Sequence, residues 1–209
     1  MNTEKININK IIIISSPSGA GKTSISRALL TRNEKLTMSV SVTTRLKRPG
    51  ELDGRDYVFV KQEEFDRMVL NDDFLEYANV FGKAYGTPRK LVEKNLAQGK
   101  DVLFDVDWQG AQKIKQNAGQ DLVSIFVLPP SLEVLENRLH LRAQDTEDVV
   151  RQRMAGAMSE ISHWSEYDYI IVNTDLEESI KQVEAILTAE RLKRIRRIGL
   201  TEFMQKFKI

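Results

Sequence analysis

The run Ile11–Ser15 (IIIIS) leads without a break into SPSGAGKT at residues 16–23, and this junction constrains the fold more than anything else in the 209 residues. Consecutive isoleucines offer no polar face to water, so the segment is expected as a strand covered on both sides. Residues 19–22 then turn the chain, and a helical pattern follows over 23–32. A buried strand that feeds a helix this abruptly predicts a parallel sheet with crossover helices, an α/β fold. Ser16, Pro17, Ser18, Gly19, Ala20, Gly21, Lys22 and Thr23 match G-x-x-x-x-G-K-[ST], except that serine replaces the first glycine. In such a loop, successive backbone N–H groups and the following helix N-terminus converge on phosphate oxygens. Gly19 and Gly21 permit the close approach, Lys22 reaches the β and γ phosphates, and Thr23 offers a hydroxyl to Mg²⁺. The motif predicts nucleoside-triphosphate binding and leaves the reaction open.

Further strands are expected at 101–106 (DVLFDV), Leu122–Leu128 and Tyr169–Val172, separated by helices with readable starts. Ser131 precedes LEVLENRLHLR, Asp145 or Thr146 precedes EDVVRQRMAGAMSEISHW, and Asp175 precedes a long helix with Glu177 and Glu178 in its first turn. Residues 36–86 break this rhythm. Apolar residues alternate there at period two (Leu36, Met38, Val40, Val42), and Pro49, Gly50, Asp53 and Gly54 punctuate the runs, as in a small antiparallel insert. At its end Thr87 reads as a helix N-cap, Pro88 as the first helical residue and Gly99 as the helix stop.

Composition narrows the function. Lys+Arg 31 against Asp+Glu 30 leaves a net charge of +1, so neither a nucleic acid nor a membrane partner is expected. The absence of cysteine excludes disulfides, thiol catalysis and cysteine-ligated metals, and two histidines are poor material for a His-rich metal site or a Ser-His-Asp triad. Neither the isoleucine run nor the opening MNTEKININK resembles a membrane span or a secretory signal, so a soluble cytoplasmic protein is expected. The sole Asn-Lys pair, Asn9-Lys10, precedes the phosphate loop and continues as Ile11-Ile12, which argues against a guanine-switch GTPase.

Downstream, SVTTRLKRPGE (residues 41–51) places Arg45, Lys47 and Arg48 within four residues, followed by GRDY ending at Tyr57. Two arginines beside a tyrosine hydroxyl suit a phosphate dianion, although charge clusters in loops are often merely solvated. Together with FLEYANVFGKAYGTP, DVLFDVDWQGA, NRLHLR and RQRM, these motifs make the chain resemble the guanylate kinase family from Ile11 to about Leu187. The resemblance implies a P-loop parallel sheet with helices on both faces, an inserted small mixed or antiparallel β subdomain and a helical lid. It also implies Mg²⁺-dependent transfer of the ATP γ-phosphoryl group to GMP, with dGMP as a further acceptor.

Residue by residue, the resemblance implies that Arg45, Arg48, Tyr57 and Tyr85 hold the GMP phosphate, while Ser41, Glu76, Thr87 and Asp107 read guanine. Guanine presents N1 and N2 donors beside its O6 acceptor, which a carboxylate and a hydroxyl match; adenine lacks the N1–H. Bland readings stand beside these: Glu76 as the outward residue of a strand, Thr87 as a cap, and Asp105 and Asp107 as polar strand-end residues. Asp105 would approach Mg²⁺ through water, with Thr23 as the other metal-side residue. Asn173 is a candidate for the ATP base. Arg138 and Arg142 share a helix face, and with Arg153 they correspond to lid arginines that act on the triphosphate beside Lys22 and Arg45. Ala143 stands where a glycine is common in the family.

One domain is expected over 1–209, with a core of about 9–38, 88–136 and 156–209, the insert at about 39–87 and the lid at about 137–155. The cations of RLKRIRRI (191–198) read as a helix C-terminal turn complementing the macrodipole. His140 and His163 are expected on or near helix surfaces without a catalytic role. Two alternatives remain at this level: a kinase for another small phosphorylated acceptor, and the non-catalytic peptide-binding modules that share this domain. Monomer or homo-oligomer is left open.

Overall fold

A computed structural model describes residues 10–80, 82–118, 122–142, 147–197 and 200–207. In chain order the strands are β1 (Ile11–Ser15), β2 (Leu36–Met38), β3 (Val42–Thr43), β4 (Val58–Phe59), β5 (Phe74–Val80), β6 (Lys83–Pro88), β7 (Asp101–Asp105), β8 (Leu122–Leu128) and β9 (Tyr169–Val172). The helices are α1 (Lys22–Arg32), α2 (Gln62–Leu70), α3 (Arg89–Ala97), α4 (Trp108–Ala118), α5 (Leu132–Arg142), α6 (Glu147–Ile161), α7 (Leu176–Leu192) and α8 (Leu200–Gln205).

The main sheet runs β2-β7-β1-β8-β9 with every pairing parallel, and β1 lies at its centre between β7 and β8. The strand alternation divides the isoleucines between two cores. Ile12 and Ile14 pack with Ile25 and Leu29 of α1 and with Ile180, Val183 and Leu187 of α7. Ile11 and Ile13 pack on the other face with Phe104, Val92 of α3 and Ile114 of α4. Each of these wholly buried side chains contributes roughly 1.5–3 kcal/mol of transfer free energy, which explains why an all-apolar strand ends up in the middle of the sheet. The helix starts behave as their side chains dictate. Val134 N–H donates to Ser131 Oγ at 3.1 Å and Glu178 N–H to Asp175 Oδ1 at 2.8 Å. The cap candidates Asp145 and Thr146, and Ala143, lie outside the described residues.

A second sheet, β4-β3-β6-β5, is mixed: β6 runs antiparallel to β3 and β5, but β3 and β4 are parallel. Its core is Val42, Phe65, Phe74 and Ala84, and Phe65 comes from α2, a helix that the alternation argument does not anticipate. Although Leu36 and Met38 share the period-two alternation of the residues after them, β2 pairs with β7 at the edge of the main sheet. One further correction follows. Thr87 and Pro88 are strand residues, and α3 begins at Arg89 without a side-chain cap. The Thr87 hydroxyl is not free to cap because it donates to Glu76 Oε1 at 2.8 Å. The second sheet is tied to the core where Asn117 Nδ2 donates to the Leu75 carbonyl at 2.6 Å and Arg89 Nη2 to that of Phe74 at 3.1 Å.

The basic segment also differs from a solvated helix end. Arg196 is buried, with Nη1 2.6 Å from Glu190 Oε2 and Nη2 donating to the Leu122 carbonyl at 3.1 Å. Arg191 Nε donates to buried Asp101 at 3.0 Å, and Asp101 also accepts from Lys10 N–H at 2.9 Å. Burial and the nearby Arg196 charge hold the Lys10 amine down at about 8. The cations thus neutralise carboxylates at the pole of the sheet opposite the phosphate loop.

Candidate active site

The loop between β1 and α1 leaves the C-terminal end of the central strand, the position where parallel sheets bind ligands. Gly19 and Gly21 adopt φ of 91° and 107°, a region that side chains resist. Gly21 has a second constraint, since a Cβ there would collide with the Asn173 amide. That amide is committed to the loop: Asn173 Nδ2 donates to the Ala20 carbonyl at 2.7 Å, and its Oδ1 accepts from Ser179 Oγ at 3.0 Å. The loop lines a cavity of about 560 Å³ together with Lys22, Thr23, Asp105, Arg138, Glu160 and Asn173. Lys22 Nζ pairs with the Asp105 carboxylate and also faces the Val106 carbonyl at 3.5 Å. The oxygens of Thr23 and Asp105 are hard donors of the kind Mg²⁺ prefers. Among the described residues no group of three or more acidic, histidine or cysteine side chains could hold a metal unaided.

A second cavity, of about 660 Å³, opens beside the first and includes Ser41, Glu51, Arg55, Tyr57 and Phe104 in its walls. Thr23 and Asp105 belong to both cavities, so they mark the seam between them. Arg45 is held by a forked pair with Glu51, Nη2 to Oε1 at 2.6 Å and Nη1 to Oε2 at 3.1 Å. Its guanidinium stands 5.2 Å from the Tyr57 ring centroid, and Tyr57 meets Tyr85 edge-on at 6.1 Å. Glu51 also accepts from Arg48 N–H at 2.7 Å, so one carboxylate shapes the whole arginine turn, leaving the Arg48 side chain exposed. The Arg45 guanidinium, followed by Arg48 N–H, holds Glu51 below the usual carboxylate range. Burial pushes the Tyr57 phenol up.

Of the candidate base readers, Glu76 on β5, Thr87 on β6 and Asp107 just after β7 lie near one another, whereas Ser41 is in the wall of the second cavity, which does not include the other three. Glu76 and Thr87 are buried and bonded to each other. Burial raises the Glu76 carboxyl above its ordinary range, while the Thr87 hydroxyl and the Lys113 charge pull it back. Asp107 contributes a further negative field there, and its Oδ1 accepts from Gly110 N–H at 2.8 Å at the start of α4.

Of the candidate lid arginines, Arg138 lines the first cavity and donates from Nη2 to the Asn173 carbonyl at 3.2 Å. Arg153 is exposed on α6, and the Arg142 side chain lies outside what is described. His140 is exposed, whereas His163 stacks on Trp108 with centroids 3.7 Å apart. Sequence reasoning missed two carboxylates. Glu51 was legible only as part of a motif, although its place six residues after Arg45 is within reach of a tight turn. Glu160 carried no signal, since it meets the loop from 142 positions away: Ser18 N–H donates to its Oε2 at 3.1 Å.

A sequence model of the guanylate kinase family matches residues 8–190. The chain is 60% identical over 198 residues to a guanylate kinase of Paramagnetospirillum magneticum, covering 95% of this chain and 92% of the relative. It is 59% identical to one of Rhodospirillum rubrum, covering 95% and 91%. The crystal structure of guanylate kinase from Anaplasma phagocytophilum superposes with a TM-score of 0.80 at 42% identity, over 98% of both chains. With a phosphate loop, a second pocket across the Thr23–Asp105 seam and these relatives, the chain belongs to the guanylate kinase family, kinases that transfer a phosphoryl group from ATP to GMP.

Proposed function

We propose that the two adjoining cavities are the donor and acceptor halves of this reaction, with ATP on the loop of residues 16–23 and GMP against the second sheet. The observation that carries the reading is the shared wall at Thr23 and Asp105, where the tails of two nucleotides would meet. Transfer between two polyanions demands alignment and neutralisation more than covalent chemistry. Lys22 would turn from Asp105 toward the β and γ oxygens, and Arg138 would close on the same phosphates from α5. On the acceptor side Arg45, pre-oriented by Glu51, would grip the GMP phosphate with Arg48, Tyr57 and Tyr85. Ser41, Glu76, Thr87 and Asp107 would read guanine, Glu76 accepting from N1 and N2. Arg153 and Arg142 would join from the lid, whose extent of about residues 137–155, like the insert at 39–87, belongs to this proposal.

Thr23 and Asp105, the latter through water, would hold Mg²⁺, which would offset phosphate charge. The acceptor phosphate has a second pKa near ~6 and needs no general base at neutral pH. Asn173 serves this scheme by bracing the loop, because its amide is already engaged. Among the described residues no helix is long and apolar enough to cross a membrane, and a cytoplasmic setting is part of the proposal. An assay of ADP release with GMP, AMP, UMP and dTMP in parallel tests the reading. GMP is expected to be strongly preferred, and preference for another monophosphate, or no turnover, refutes it.

A further inference from the structure

The last turn of α6 reaches into the phosphate loop. Glu160 lines the same cavity as Gly19, Gly21, Lys22 and Arg138, and its Oε2 accepts from Ser18 N–H at 3.1 Å. Burial raises the Glu160 carboxyl above its ordinary range, while the Ser18 N–H and the Lys22 charge pull it back and Asp107 adds to the rise. The helix is anchored there on two other sides. Ala157, one turn earlier, packs in a small core with Leu135 and Leu139 of α5, the two leucines that also stand against Gly19. His163, three residues beyond Glu160, stacks on Trp108, the residue after Asp107. One short stretch therefore touches both the donor loop and the approach to the candidate base readers.

A carboxylate seated on a loop N–H occupies a place suited to a phosphate oxygen, since N–H groups of such loops converge on anions. A single N–H donates fully to one acceptor, and two anions brought to that point repel each other in a partly buried site. We propose that Glu160 is a displaceable internal anion of the phosphate loop. The donor triphosphate takes the Ser18 N–H from it, so donor binding and release of the end of α6 are one coupled step. The proposal rests on reading residues 16–23 as the triphosphate cradle. By linkage, whatever holds Glu160 on Ser18 weakens donor binding by the same factor, and the coupling belongs to the donor rather than the acceptor.

Calorimetric titration with MgATP, MgADP and GMP, each alone, tests this on the wild-type chain, Glu160→Gln and Glu160→Ala. Glu160→Gln keeps the shape and removes the charge. It is expected to bind MgATP and MgADP roughly three- to tenfold more tightly, the difference between a charge-assisted and a neutral hydrogen bond to Ser18 N–H, with GMP affinity unchanged. Glu160→Ala removes the acceptor atoms and shifts in the same direction. A merely structural role for Glu160 leaves donor affinity equal or weaker in both variants, and that result overturns the proposal. So does equal tightening of GMP. A wild-type chain that binds no MgATP at all overturns the reading of the cradle itself, an outcome distinct from unchanged affinity in the variants.

Discussion

Glu76→Gln separates a guanine-reading carboxylate from one that only satisfies its neighbour. Glu76 is 9% exposed and Thr87 is fully buried, so neither group can exchange its partner freely for water. A carboxylate offers acceptors to both the N1–H and N2–H donors of guanine, whereas the amide keeps one acceptor and sets an N–H against an N–H. One charge-assisted hydrogen bond is lost and one buried donor is left unpaired, together about 3–4 kcal/mol. At 1.36 kcal/mol per decade this corresponds to a drop in kcat/KM for GMP of roughly 10²–10³.

The fold should not suffer. Thr87 can still donate to the amide oxygen, and the raised carboxyl pKa means that burial disfavours the charged form. Glu76 therefore costs stability above its folded pKa, a cost relieved as pH falls through that value. The neutral variant is expected to melt at the wild-type temperature or higher at pH 7.5. The assay is coupled ADP release with GMP and with inosine monophosphate, which lacks the N2 amine. The wild type prefers GMP, and the variant narrows that preference. A variant with near-wild-type kcat/KM and an unchanged ratio between the two acceptors refutes the assignment.

Lys22→Met should abolish phosphoryl transfer while GMP binding, measured by calorimetry, persists; loss of both together counts against separate donor and acceptor sites. Glu51→Gln removes the charge that orients Arg45, so the GMP KM is expected to rise several-fold with the ATP KM unchanged, and an unaltered GMP KM removes Glu51 as a positioning residue. His140→Gln and His163→Gln should each retain turnover near that of the wild type in the same assay. The second variant also loses the Trp108 stack and the 2.6 Å contact with Glu166, so its expected defect is a lower melting temperature. A hundredfold fall in turnover of a folded variant would restore a catalytic histidine.

Where one rule governed a segment, the chain announced its structure. The isoleucine run became the central strand because nothing but a doubly covered position suits it, and the glycines of the loop stand at the φ values their motif requires. Ser131 and Asp175 capped the helices they precede. Errors arose where local pattern and tertiary partner competed. Leu36–Met38 alternates like the insert that follows it, and three residues are too few to show by pattern alone that they pair with β7 of the main sheet. Thr87 has the chemistry of a cap, yet pairing with β5 extends the strand through Pro88 and turns the hydroxyl to Glu76. The parallel pairing of β3 with β4 and the existence of α2 depend on how residues 44–61 loop back, which no periodicity encodes. Among the candidate site residues, those carried by contiguous motifs could be named from the chain alone. Glu160 could not, because its partner is a backbone N–H on the far side of the chain.

The pairing of Arg191 with Asp101 and of Arg196 with Glu190 bears on how far the protein tolerates shortening at its C-terminal side. These arginines clamp acidic groups that the sheet and α7 have already taken out of water, so a stop codon placed after Leu192 would strand Glu190 without Arg196, and one placed before Arg191 would strand Asp101 as well. The stretch that looks most like a disposable basic tail is better regarded as a rivet, to be kept whole in any trimmed version destined for crystallisation or fusion.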